Sequence, residues 1–415
     1  MSSGAVVHFS FTFVAPTRHL PLLASPLEGV ADEGELNVKL YRAGAIAGLI
    51  ACAVVLSACS SSKKDTTKPS GPADTGTAGG SSAPVAGKPT CSTGKLDAEG
   101  STAQTNAINQ WISDYQAACP GSTINYNPTG SGAGVTSFTG GLVDFAGSDS
   151  ALNPDKGEVD KAKANCGSDA LDLPMVVGPI AIAFKLKGAD KVVLTGGLVA
   201  KIFLGKITTW NDAAIAAVNT GVTLPPTKIT VFYRSDSSGT TQNFEKYLAA
   251  TASDVFKTEP DKDSSKAGFA GQGKAKSQGV AAAVAGVDGA IGYVEYSFAV
   301  SSGLSTASID NGGGPVELSP DTASAAASSA TVKGTGNDLS LKIDYATKTA
   351  GAYPLILVTY EIVCSKYKDA ATGTFVKNFL SYTSDAGQAK LKQLGYAPLP
   401  AELQTKVKAS IAAIS

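Results

Sequence analysis

Pro128-Thr-Gly-Ser-Gly-Ala-Gly-Val-Thr-Ser-Phe-Thr-Gly-Gly-Leu-Val-Asp-Phe-Ala-Gly-Ser-Asp149 is the stretch from which the rest of the chain can be read. Ile124 and Tyr126 alternate with polar neighbours just before it, as in a strand, and Gly130, Ser131, Gly132 and Gly134 then lead into a short helix. A second strand ends at Ser148-Asp149. Strand, glycine turn, helix and strand predict an α/β fold. Glycines let backbone N–H groups approach an oxyanion, and a helix start adds unpaired donors and a partial positive charge. The turn therefore reads either as an anion cradle or as an ordinary loop.

Upstream, apolar residues at Ala103, Ala107, Ile108, Trp111, Ile112 and Tyr115 mark one face of a helix over Thr102–Ala117. Gly100-Ser101-Thr102 lies at its start, where Ser101 or Thr102 taken alone is an N-cap. Downstream, the apolar run Leu171–Ala183 holds Pro174 and Pro179 and reads as a buried strand crossing between two domains. Lys191–Phe203 and Asn211–Val218 read as helical, with Trp210 between them as core. The glycine-turn pattern recurs at Lys228–Thr241: Ile229, Val231 and Tyr233 alternate, Arg234 stands at the strand's end, and Ser238-Gly239-Thr240 opens a helix. Ligands of open α/β sheets bind at such strand ends, and an arginine presents a forked pair of donors to an oxyanion. Taken singly, Arg234 reads as a solvated strand-end charge and Ser-Gly-Thr as a turn and cap.

Length and composition, 415 residues with 43% hydrophobic and 17% charged, allow two globular domains. With 34 basic and 35 acidic residues, no general positive field recommends nucleic acid as a partner. The two histidines, His8 and His19, precede the expected mature chain, which argues against histidine-based catalysis and histidine metal sites; no metal and no cofactor are expected. Near the N-terminus, Lys39–Arg42 is basic, Ala43–Leu56 is apolar, and Leu56-Ser57-Ala58-Cys59 resembles a bacterial lipobox. The alternative is a membrane span, for which the apolar run is shorter than the ~20 residues required. Residues 38–58 then form a lipoprotein signal, Cys59 carries lipid, and residues 1–37 have no evident role, so translation is expected to begin near Val38. Residues 59–90 have the composition of a flexible tether, with a reach of roughly 30 Å.

Cys91, Cys119, Cys166 and Cys364 remain, and in an exported chain they predict two disulfides with three possible pairings. Cys119 and Cys166 each follow an expected helix and precede an expected strand, so the expected pairs are Cys119–Cys166 and Cys91–Cys364.

Six motifs occur in order: Gly100-Ser-Thr-Ala103, the Gly-Ser-Gly-Ala-Gly loop ending at Gly134, Ala146-Gly-Ser-Asp149, Gly205-Lys-Ile-Thr-Thr-Trp210, Arg234-Ser-Asp-Ser-Ser-Gly-Thr240 and Gly289-Ala-Ile-Gly-Tyr-Val-Glu295. Over residues 91–405 the chain resembles the phosphate-binding lipoproteins of high-affinity phosphate ABC transporters, in their actinobacterial form. The resemblance implies a type II periplasmic-binding-protein fold, two α/β domains hinged around phosphate. Domain I is residues 91–178 plus 350–415, and domain II is 179–349. It implies a monomer, anchored on the extracytoplasmic face of the cell membrane, that delivers phosphate to permease subunits and is not an enzyme. Phosphate contacts map to Thr102, Ala103, Ser131, Asp149, Arg234, Ser238, Gly239 and Thr240, with Asp236 holding the arginine. Ala103 departs from the larger apolar residue usual there, which leaves its N–H contact intact.

A carboxylate facing a bound anion makes sense if it accepts a proton that the anion carries. Phosphate at neutral pH carries one or two protons and sulfate carries none, so Asp149 would discriminate by hydrogen bonding; without the resemblance, an Asx turn is an equal reading. The rivals are a binding protein for sulfate or molybdate, an exported hydrolase using Ser131 or Ser238, and an adhesive surface protein. Neither serine sits in a Gly-x-Ser-x-Gly elbow.

Overall fold

The alternating pattern folds into strands and helices in regular succession. The computed structural model describes residues 88–415; the signal, Cys59 and nearly all of the tether lie outside them. β1 (Gly94–Gly100), α1 (Thr105–Ala118), β2 (Ser122–Asn127), α2 (Ser131–Thr139) and β3 (Phe145–Ser148) come first, followed by α3 (Glu158–Cys166) and β4 (Ala170–Lys185). α1 buries Ala107, Ile108, Trp111 and Tyr115, the expected face. It starts at Thr105 rather than Thr102, because the preceding residues form a loop in which Thr105 Oγ1 donates to the Thr102 carbonyl at 2.8 Å.

A short β5 (Val193–Leu194) leads to α4 (Gly196–Phe203) and α5 (Ala213–Val218), so the expected helix from Lys191 begins later, after a two-residue strand. β6 (Thr230–Arg234), α6 (Gly239–Thr251), β7 (Gln272–Lys274), α7 (Lys276–Gly286), β8 (Ala290–Glu295) and α8 (Tyr296–Ser301) follow. Five small strands, β9 (Ser305–Thr306), β10 (Ser308–Asp310), β11 (Pro315–Val316), β12 (Thr331–Val332) and β13 (Leu341–Lys342), surround α9 (Pro320–Ala327). The chain closes with β14 (Ile356–Cys364), α10 (Ala370–Ser384) and α11 (Ala401–Ala412).

Among the described residues the main sheet runs β2-β1-β3-β14-β4-β8-β6-β7, with β9 paired to β4. Its two wings, β2-β1-β3 and β8-β6-β7, are parallel. Between them β14 and β4 run antiparallel, and β4 serves both wings: residues 170–179 pair with β14 and residues 180–185 with β8. Leu171–Phe184 is buried throughout, which is why this segment carries no polar alternation. Its two ends enter different cores. Leu171, Leu173, Met175, Val176 and Val177 pack with Trp111, Phe145 and Phe379, whereas Ile180, Ile182 and Phe184 pack with Trp210, Phe244 and Tyr293. The cores interleave near the crossover: Ala323, Ala326 and Leu339 join the first, while Tyr353, Leu355 and Leu357 join the second.

The disulfides correct the expected pairing. Cys91 is bonded to Cys119 and Cys166 to Cys364, with Cα separations of 5.2 and 5.4 Å. Strand order decides this. β1 and β2 are parallel neighbours, so the residues leading into them, Cys91 and Cys119, lie at the same end of the sheet. Cys364 ends β14 opposite Ala170 of β4, which places it beside Cys166 at the end of α3. The two helix ends, Cys119 and Cys166, each have a nearer partner than one another. No helix among the described residues is long and apolar enough to cross a membrane.

Candidate functional site

Three strands of the two wings end at one place. β1 delivers Ser101, Thr102 and Ala103, β3 delivers Asp149, and β6 delivers Arg234. Four helices begin there: α1, α2, α6 and α7. None of the four carries an acid at its N-cap or in its first turn; of the other helices only α4 shares this, since α3, α9 and α11 have an acid in the first turn and α5, α8 and α10 are capped by Asp212, Glu295 and Asp369. Acidic first turns usually stabilise helices, so their absence leaves the N-terminal partial charges to serve an anion.

Asp149 is 3% exposed and Arg234 2% exposed. Asp149 accepts from Ser131 Oγ at 3.3 Å, Thr240 Oγ1 at 3.2 Å, Thr359 Oγ1 at 2.9 Å and from Ser101 Oγ. These donors come from α2, α6, β14 and the loop after β1, so one carboxylate gathers hydroxyls from both wings. Burial raises its pKa, while Ser101, Thr359, Arg234 and Thr240 draw it back. Arg234 is gripped by Asp236, with Nε donating to Oδ1 at 2.7 Å and Nη2 to Oδ2 at 2.5 Å. Burial pushes Asp236 upward, but the bonds and charge of Arg234 outweigh it and the carboxyl sits below its ordinary value. This grip leaves Nη1 to donate to Ser277 Oγ at 3.4 Å, and Ser277 Oγ lies 2.8 Å from Thr102 Oγ1. The Ala103 N–H donates to Ser101 Oγ at 3.0 Å. Ser238 caps α6, its Oγ accepting from Thr241 N at 3.2 Å.

Two glycines are required by packing. Gly130, at φ 110°, takes a conformation unfavourable to other residues, and a Cβ there would lie 2.8 Å from the Ser237 carbonyl oxygen. Gly239 is pressed against the opposite wing: a Cβ would stand 2.6 Å from Asp149 Cβ and 2.7 Å from Ser131 Oγ. The nine site positions expected from the sequence thus lie in one region, buried at all of them except the partly exposed Asp236. No group of His, Cys, Asp and Glu suited to a metal occurs among the described residues.

Residues 77–386 match the PBP superfamily domain. The phosphate-binding protein PstS 2 of Mycobacterium tuberculosis is 43% identical over 385 residues, spanning 91% of this chain and all of that protein. This chain belongs to the PBP superfamily, among its phosphate-binding proteins. A more distant family member, the phosphate-binding protein PstS of Xylella fastidiosa, is 35% identical over 76% of this chain and 84% of its own length. The fold is similar to that of a high-affinity periplasmic phosphate-binding protein solved with phosphate, at TM-score 0.63 and 24% identity, covering 76% of this chain and 93% of that one. A phosphate-binding protein from Stenotrophomonas maltophilia superposes at TM-score 0.61 with 20% identity, over 76% and 94% of the two chains.

Some partners escaped the sequence reading. Ser277 follows Lys276, whose φ of 66° turns the chain so that Lys276 N reaches Asp236 Oδ1 at 2.9 Å; nothing in the local composition announces it. Thr359 was detectable, since Thr359 and Glu361 interrupt the otherwise apolar Ile356–Cys364. Glu361 is fully buried, and neither of its oxygens meets a partner in good hydrogen-bond geometry, although the Gln104 side chain lies close enough to draw its pKa back somewhat. Burial, with the Asp149 charge nearby, pushes its pKa up to about 8. The native carboxyl therefore keeps a proton that the unfolded chain releases near its ordinary 4.5, and stability falls as pH rises from there to about 8. Asp172 and Glu245, also raised to about 8, add the same sign. Glu361→Gln is expected to flatten this dependence by up to about 1.4 kcal/mol per pH unit. Urea unfolding at pH 5, 6, 7 and 8 checks it; an unchanged slope means that Glu361 is ionised in the fold.

Proposed function

We propose that this chain captures inorganic phosphate between two lobes and delivers it to the permease of an ABC importer. The single observation that carries the reading is the pairing of a buried, Asp236-held guanidinium with a buried carboxylate amid four acid-free helix starts. The guanidinium, the hydroxyls of Thr102, Ser131, Ser238 and Thr240, and the amides at Ala103 and Gly239 supply donors to the phosphate oxygens, while Asp149 accepts a phosphate proton. That its relatives in Mycobacterium tuberculosis and Xylella fastidiosa are phosphate-binding proteins supports phosphate as the ligand.

In this reading residues 91–178 with 350–415 form one lobe and 179–349 the other, joined by β4 and β14. The division of the apolar cores along β4 supports it, while Ala323, Ala326 and Leu339 pack in the first core and Tyr353, Leu355 and Leu357 in the second, so the lobes interlock after α9. The protein works as a monomer on the extracytoplasmic side, tethered through lipid on Cys59, in keeping with the lipobox-like Leu56–Cys59. Binding without turnover accords with a chain that has no histidine beyond His19 to serve as a base. Sulfate and molybdate fit less well, because a proton-free anion would face Asp149 with two acceptors and no hydrogen between them.

Competition of radiolabelled phosphate with sulfate tests this reading. The parent chain is expected to retain phosphate in the presence of excess sulfate and to release no phosphate from monoesters. Asp149→Asn, which puts a donor where the acceptor stood, is expected to erode the preference for phosphate about tenfold or more while changing phosphate affinity less. Unchanged selectivity in the variant removes the proton-acceptor role from Asp149.

A further inference from the structure

A cavity of about 580 Å³ lies beside the candidate site, within the roughly 300–1,000 Å³ common for small-molecule pockets. Of the proposed phosphate ligands only Asp149 borders it; Thr102, Ser131, Ser238 and Arg234 do not. Its walls rise from both cores, through Leu152, Val358 and Tyr360 on one side and the α6 residues Gln242, Asn243 and Lys246 on the other.

Five lysines reach this cavity from separate segments: Lys156, Lys246, Lys262, Lys333 and Lys342. Two are compensated, Lys156 by Asp261 at 2.8 Å and Lys262 by Glu158 at 3.4 Å. Lys246, Lys333 and Lys342 form no ion pair among the described residues. Lys246 is half-buried on α6, and burial together with the charges of Lys262 and Lys333 draws its pKa down to about 8. Cations brought together in this way repel one another, and an anion between them relieves both the repulsion and the lost hydration. The acids on the lining, Asp149, Asp155 and Glu158, are fewer than the lysines, and of the three only Glu158 pairs with a lysine, Lys262.

We propose that this cavity is a second anion site, taking a polyvalent anion of the condensed-phosphate class. The volume exceeds the needs of one tetrahedral ion, and charges arriving from several directions match an anion with several phosphoryl groups. Lysines, as mobile point charges, suit such an extended anion better than the forked geometry of Arg234 would. Lys246 comes from α6 beside one core and Lys333 and Lys342 from β12–β13 beside the other, so an anion held here bridges segments packed on both cores. The inference stands on the lysine geometry and not on the phosphate reading.

The test titrates tripolyphosphate calorimetrically into the full chain already saturated with radiolabelled orthophosphate. One tripolyphosphate is expected to bind per chain with the orthophosphate retained, and binding is expected to weaken steeply with added salt. Lys246→Gln with Lys333→Gln is expected to weaken it at least about tenfold. Lys333→Gln with Lys342→Gln, both at exposed positions that cannot disturb the cores, is expected to weaken it about fivefold while leaving orthophosphate binding unchanged. The proposal is overturned by absence of saturable tripolyphosphate binding, by unchanged affinity in the exposed double variant, or by one-for-one release of labelled orthophosphate. Should the chain retain no orthophosphate at the outset, the phosphate reading fails on its own, and the same titration without it still decides this site.

Discussion

Arg234→Lys is expected to weaken phosphate binding by about a thousandfold, the loss of roughly 4 kcal/mol that follows from breaking a buried, hydrogen-bonded charge pair. The charge survives the substitution but the fork does not. Arg234 uses Nε and Nη2 on Asp236, and this twofold grip fixes where Nη1 points. A lysine offers one mobile ammonium, which Asp236 would draw to itself, away from Ser277 and Thr102. Equilibrium dialysis with labelled phosphate, alongside thermal unfolding, separates lost affinity from lost fold. Affinity within tenfold of the parent in a folded variant would show that the guanidinium does not grip the ligand.

Gly239→Ala should be damaging for a different reason, lowering phosphate affinity by about tenfold to a hundredfold, the cost of overpacking a tight contact. The added methyl would meet Asp149 Cβ at 2.6 Å and Ser131 Oγ at 2.7 Å, residues anchored in the opposite wing. At the first position of α6 alanine is a better helix former than glycine. Neither α6 nor the second core is therefore weakened, and the collision falls only on the approach of the two wings. The expected signature is reduced affinity with an unchanged unfolding temperature of the phosphate-free protein. Parent-like affinity would mean that α6 and β3 do not need to come this close to hold the ligand.

Much of this architecture is legible in the sequence, for reasons that differ from residue to residue. The apolar run at Leu171–Ala183 announced a strand buried on both faces, and β4 is that strand. The two glycine turns could be read because close backbone approach permits few other residues there. The disulfides could not. Cys119 and Cys166 share the same local setting at a helix end, but pairing depends on which strands are neighbours, and β14 enters beside β4 and β3 only through a register set some 200 residues downstream of β3. The same long-range order brings Thr359 onto Asp149 and Ser277 onto Thr102, contacts 210 and 175 residues apart in sequence.

The bridge between Cys91 and Cys119 has a mechanical meaning. Any pull arriving along the segment that precedes residue 91 meets a sulfur–sulfur bond before it meets the first hydrogen bond of β1, and the load passes straight to the end of α1. A load arriving there is therefore shared by covalent chemistry between the chain entering β1 and the end of α1, ahead of the hydrogen bonds of β1.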